Sequence, residues 1–305
     1  MTFLNIRNIF FLALYSINLI FALTFTPIFD FGDSPTYIEL AERFLGLNES
    51  NLVHRSPLFS MFLAILKAVF HDKFVPRLVL LLHYHMVFIS SLVLYNLFLI
   101  YSNEKKHLAR ITVFLFNTSL STIYYSNTFL TEITTIFFFV VSLYFLQRII
   151  DDINSFKSSK LSYIMLGSSL GLLALARYNV IPVIPVFFIF IMYSLLVNKV
   201  SFSKSALLFG YLTFFTLLPI LIFSSYNYRT YNFFGLFPTG GGISRNVIVY
   251  SITESNSFPK EYEEVHNIFL EARVEYYSNK QVINSPNSFS SFDSKGLLNS
   301  HCVPV

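Results

Sequence analysis

Seven stretches of this chain, near residues 9 to 28, 76 to 100, 109 to 126, 131 to 149, 161 to 176, 179 to 197 and 206 to 225, are apolar over roughly the 20 residues that a helix needs to cross a bilayer. In hydrocarbon the backbone must satisfy its own polar groups, and a helix does this within one segment. The expected fold is therefore all-α, a polytopic transmembrane helical protein of about seven spans. Composition agrees, with 54% hydrophobic and 12% charged residues, against about 25% charged in an ordinary soluble domain. The first run is too long for a signal-peptide core and lacks a clear small-x-small cleavage site, so it is expected to remain as an anchor.

The loop between the first two runs, residues 29–75, is the most polar part of the N-terminal half. Ser34 is a good helix N-cap, Pro35 suits the first helical position, and Tyr37, Leu40, Ala41 and Phe44 follow at amphipathic helix spacing. Ser56 to Phe70 is apolar but short and carries Lys67, so it reads as a surface or re-entrant helix. One or two amphipathic surface helices are thus expected in this loop.

Orientation follows from the basic residues of the short loops. Arg7, then Lys105, Lys106 and Arg110, then Arg148, Lys157 and Lys160, then Lys199 and Lys204 fall at alternate turns, which places those turns in the cytoplasm. The turns at 126–130 and at Arg177 then face outward, as does everything after Tyr226. That outer segment, 226–283, includes a helix-like acidic and aromatic stretch from Pro259 to Tyr277, and the Ser/Asn-rich end, 284–305, reads as disordered polar sequence.

Several functions are disfavoured. A net charge of +4 spread among apolar runs marks membrane orientation and not nucleic-acid binding. The single cysteine, Cys302, cannot form an internal disulfide, and no Cys/His spacing resembles a zinc site. His83 and His85 are two residues apart and so on different helix faces. No cofactor is implied, although two or three outer carboxylates could hold a divalent metal.

With this topology the polar candidates share one side. Asp30 and Asp33 leave the first span outward, Glu132 heads the fourth, Arg177 sits in an outer turn, and Arg229 and Arg245 follow the seventh. Each has a plain structural reading: Asp33 a helix cap, Glu132 an acid complementing a helix dipole, Arg177 a snorkelling base. Together they fit a chemistry. A carboxylate can take a proton from a hydroxyl while an arginine holds a phosphate oxygen, as in group transfer from a phosphate leaving group to an alcohol or amine. His54 and Arg55 stand where they could pair with headgroups, and Gly241 within Gly240 to Gly242 permits close backbone approach to a substrate, although a flexible loop is the commoner meaning.

Asp33-x-x-x-Tyr37, then His54-Arg55-Ser56-Pro57-Leu58, resembles the first outer loop of the polyprenyl-phosphate-sugar-dependent glycosyltransferases of the C superfold, nearest to the family 39 type that includes protein mannosyltransferases and the aminoarabinose transferase of lipid A. Thr131-Glu132, the Gly167 to Arg177 span, and Asn227-Tyr228-Arg229 with Gly235 and Gly240 to Gly242 resemble later parts of the same family, in the same order. The likeness runs from about residue 8 to 250. It implies a glycosyltransferase-like transmembrane domain over 1–225, with a sugar on a polyprenyl phosphate as donor and a lipid, glycan or protein as acceptor. It also implies inversion at the anomeric carbon, on the outer face of a bacterial inner membrane or the luminal face of a eukaryotic one. Asp33 would be the catalytic base and Glu132 the second acidic residue of the catalytic set, orienting the acceptor or a base partner. Asp30, Tyr37, His54, Arg55, Arg177, Arg229 and Gly241 would bind substrate, with Arg177 or Arg229 meeting the phosphate. The chain departs from the family where an Asp-Glu pair is common, since here Asp33 is followed by Ser34. Members usually continue through further spans into an outer domain, so an inactive truncated membrane protein is one alternative. A lipid-linked sugar flippase or small-solute transporter is the other, with Pro182, Pro185 and Pro219 as its suggestive residues.

Overall fold

The computed structural model describes residues 6–28, 33–47, 55–102, 105–155 and 159–236, with side chains from Ile9 onward. Asp30, His54, Gly241, Arg245 and nearly all of the 226–283 segment lie outside the described residues. The described part is all helical and belongs to one compact unit, 1–238. Its α-helices are α1 (Ile6–Thr24), α2 (Ser34–Phe44), α3 (Pro57–Val69), α4 (Val75–Tyr101), α5 (Lys106–Thr118), α6 (Leu120–Ser126), α7 (Glu132–Asn154), α8 (Lys160–Ala176), α9 (Ile184–Val197) and α10 (Phe202–Tyr231).

Among the described residues four apolar segments are long enough to cross a membrane: Asp72–Tyr101, Glu132–Asn154, Tyr178–Val197 and Phe202–Thr230. Pro57–Val69 and Lys160–Ala176 are apolar but shorter, and α1, apolar from Ile9 onward, runs for 19 residues. The expected seven full-length spans are thus not all present as continuous helices. The first stops at Thr24 because Pro27 forces the residue before it towards extended backbone. Ile28 then donates its N–H to the Asn127 carbonyl at 2.8 Å and forms a parallel bridge with Thr128.

The run expected to span as 109 to 126 is broken at Ser119. Asn117, Thr118 and Ser119 each turn a side chain back onto a helix carbonyl, of Val113, Phe114 and Phe116. Such bonds compete with regular helix. Ser119 takes an extended ψ of 139° and its hydroxyl accepts the Thr122 N–H, capping α6.

The outward surface is more apolar than a water-soluble bundle tolerates. Along α9, Val186, Ile189, Phe190, Met192 and Leu196 are all exposed, whereas large contiguous apolar patches are rare on soluble monomers. Polar side chains go inward instead. Asn18 on α1 donates to Asn117 on α5 at 2.7 Å, Asn117 donates to Ser91 on α4, and all three are buried. Ser142 and Ser169 join α7 to α8 at 2.9 Å. Helices in lipid associate through packing and such polar links, because apolar surface alone drives nothing there.

The tightest contact explains two glycines. A Cβ at Gly167 would lie 2.6 Å from the Leu212 carbonyl oxygen, and one at Gly171 would lie 2.5 Å from that of Thr216 and 3.0 Å from the Pro219 ring. Only glycine lets α8 and α10 approach this closely. At one end of the bundle, α2 and α3 form a hairpin packed on the start of α4 and the approach to α7, with Tyr37, Ala41, Phe59, Leu63, Val75, Val79, Phe129 and Leu130 in one core. Lys67 ties the hairpin to Glu42 at 2.7 Å.

Candidate functional site

Asp33 stands at the N-cap position of α2, yet its carboxylate makes no capping bond. The cap reading therefore does not describe its side chain. Thr36 and Tyr37 hold the Asp33 carbonyl instead, and the carboxylate meets Arg55 Nη1 at 2.9 Å. Arg55 is positioned by Tyr178, whose hydroxyl donates to the Arg55 carbonyl at 2.7 Å and lies 3.1 Å from that of Leu236.

Glu132 opens α7, where the helix N-terminus favours a carboxylate. It pairs with Arg177 Nη1 at 2.7 Å through Oε1, while Oε2 is buried without a hydrogen-bond partner. Arg177 reaches it because α8 ends at Ala176 and Arg177 itself is extended, at φ −159° and ψ 120°. The chain then enters a 3₁₀ segment, Tyr178–Val183, before α9.

Tyr37 lies near both pairs. It is buried, hydrogen-bonds the Thr131 hydroxyl and feels the charges of Arg55, Asp33 and Glu132. Burial raises its phenol above the ordinary 10.0, outweighing the lowering by Thr131 and Arg55. Its carbonyl accepts from Ser60 at 2.9 Å, and its ring packs edge-on against Phe59 at 5.8 Å. Phe59 in turn stacks on His83, a fully buried residue whose Nδ1 lies 3.2 Å from the Ser126 carbonyl and whose Nε2 has no partner.

Asp33, Tyr37, Arg55, Glu132 and Arg177 thus meet at one end of the bundle, drawn from four separate regions of sequence. Arg229 near the end of α10 is exposed, with no ion pair among the described residues. Asn227, two residues earlier, is buried and donates to the carbonyls of Gly235 and Leu236 at 2.7 and 3.4 Å. Among the described residues no group of three or more His, Cys, Asp or Glu could hold a metal ion. His83 and His85 do diverge, the latter lying 3.0 Å from the Tyr15 hydroxyl on α1.

Sequence reasoning passed over Tyr178, whose only signal is its place beside Arg177 in a turn between apolar runs. It also passed over Arg77, which donates to the carbonyls of Ala22 and Phe25 at 2.7 and 2.9 Å and so caps the end of α1. Two carboxylates, each held by a guanidinium and both near one buried phenol, can accept a proton, orient a hydroxyl or exchange an arginine onto an anionic ligand. No family model matches the chain, no curated protein is similar to it, and no solved structure matches it.

Proposed function

We propose that the chain is a membrane glycosyltransferase that moves a sugar from a polyprenyl phosphate to a hydroxyl or amine of a lipid, glycan or protein acceptor, with inversion, on the extracytoplasmic face of the cell inner membrane. The observation that carries this reading is the meeting of Asp33–Arg55 with Glu132–Arg177 around Tyr37. In this reaction Asp33 takes the acceptor proton as the acceptor oxygen or nitrogen attacks the anomeric carbon. The bond from that carbon to the phosphate oxygen breaks, and the polyprenyl phosphate leaves against an arginine. Glu132 orients the acceptor, and Arg177 or Arg229 meets the phosphate.

A transporter would bury ionisable groups near the bilayer midplane. Here every Asp, Glu, Lys and Arg described in the four longest apolar segments stands within about two turns of an end, and the ionisable groups nearer the middle are His83 and His85 of Asp72–Tyr101. The placement of the carboxylates and strong bases favours surface chemistry over passage. The test is Asp33→Asn in proteoliposomes supplied with a panel of radiolabelled polyprenyl-phosphate sugars and a membrane lipid extract as acceptor. Loss of a general base should lower transfer at least about 100-fold. Transfer at the wild-type rate in Asp33→Asn refutes the assignment of the base.

A further inference from the structure

At the bundle end opposite the two ion pairs, a cleft of about 260 Å³ opens between the end of α7, the start of α8 and the turn joining α9 to α10. Its polar lining is Asp152, Tyr163, Asn198, Lys199, Ser201 and Lys204. We propose that this cleft binds a phosphate group, that of an anionic glycerophospholipid. The inference is independent of the glycosyltransferase reading.

Two observations converge. The first amides of a helix have no acceptor within it, and at α10 the Ser201 side chain does not cap them, so the N-terminus of a 30-residue helix faces the cleft with its donors uncapped. Tyr163 is 1% exposed, lines the cleft, and its hydroxyl has no hydrogen-bond partner. A buried donor of this kind is normally satisfied. Lys199 takes φ 51° because it closes α9 in a Schellman turn, its N–H meeting the Leu196 carbonyl and that of Val200 the Leu195 carbonyl, and this turn places it on the cleft.

The charge balance also fits an anion. Lys199 and Lys204 oppose a single carboxylate, Asp152, which already receives the Ser162 hydroxyl at 3.4 Å. Asn198 is engaged on the Ser194 carbonyl. The rim favours a lipid over a free ion, because Leu196, Val197 and Phe202 beside the cleft are exposed apolar side chains on which acyl chains would lie.

The test titrates the purified, delipidated full chain in neutral detergent with phosphatidylglycerol, phosphatidylcholine or inorganic phosphate, following the unfolding midpoint and lipid retention by native mass spectrometry. Phosphatidylglycerol should stabilise and be retained, and phosphatidylcholine should not. Lys199→Gln with Lys204→Gln should weaken phosphatidylglycerol binding about tenfold or more, whereas Lys105→Gln with Lys106→Gln should leave it unchanged. Tyr163→Phe should weaken it about threefold or more while the ligand-free midpoint holds or rises, since the lost hydroxyl had no partner. Stabilisation by inorganic phosphate equal to that by phosphatidylglycerol supports the phosphate site but assigns it to a free ion. Equal binding of phosphatidylcholine, equal losses in the two double variants, or wild-type binding in Tyr163→Phe overturns the proposal.

Discussion

Replacing Gly171 by alanine adds one methyl group at the closest approach of α8 and α10. The new Cβ would stand 2.5 Å from the Thr216 oxygen, where ordinary contact begins at 3.4 Å, so the helices must part by about 0.9 Å or the backbone must bend. Neither neighbour yields easily, since one is main chain and the other the Pro219 ring within a helix. Overpacking of this kind costs about 1–3 kcal/mol. The better helix propensity of alanine returns about 1 kcal/mol, leaving a net loss of up to about 2 kcal/mol. For a chain of this size that is a fall of up to about 3 °C in the unfolding midpoint, measurable by thermal denaturation in detergent. Gly210, also on α10, is the matched control, because a Cβ there meets nothing within 4 Å. Gly210→Ala should be neutral or stabilising. If the two substitutions behave alike, close helix approach is not the reason for Gly171.

Asn117→Ala should destabilise by about 1–2 kcal/mol, since it strips partners from Asn18 and Ser91 together; a double cycle with Asn18→Ala should give coupling of about 1 kcal/mol, and simple additivity would remove the pair from the account. Tyr37 binds its proton more tightly folded than unfolded, so the stability it contributes is present below about pH 10 and is lost as pH rises through the folded value. The unfolding midpoint should therefore fall more steeply above pH 10 in wild type than in Tyr37→Phe, and parallel curves would contradict the burial argument. Thr230→Cys, at an exposed position, in a Cys302→Ser background should react with an impermeant maleimide on intact cells, while Lys105→Cys should need permeabilisation; the reverse pattern inverts the sidedness.

Much of the helical framework is legible because lipid imposes a length and a polarity on each run. Pro57–Val69 was readable as too short to cross for the same reason. The break at Ser119 was not, since Asn117, Thr118 and Ser119 are each tolerable in a helix and only their back-bonding together makes the interruption. Glu132 and Arg177 stand out as charges at the ends of apolar runs. Their pairing, like that of Asp33 with Arg55, depends on which helix ends lie side by side, and no local pattern reports that. Gly167 and Gly171 drew attention as part of a family likeness, and the structure supplies a packing reason for them. Tyr178 and Arg77 act on main-chain carbonyls distant in sequence, at Arg55 and at Ala22 and Phe25, which leave no mark in a periodicity.

The two arginine–carboxylate pairs have a further electrostatic consequence. At 2.9 and 2.7 Å each is a neutral dipole, whose field dies away far faster with distance than that of a lone charge. The pairs therefore have little reach towards an approaching anion beyond a Debye length of about 8 Å at physiological salt. Arg77, whose carbonyl partners carry no charge, and Arg229, which has no ion pair among the described residues, keep their full charge and supply the longer-range pull at this end. The influence of the pairs begins at contact, where an anion can displace a carboxylate from its guanidinium, so that the salt dependence of capture should follow Arg229 and Arg77 and not the pairs.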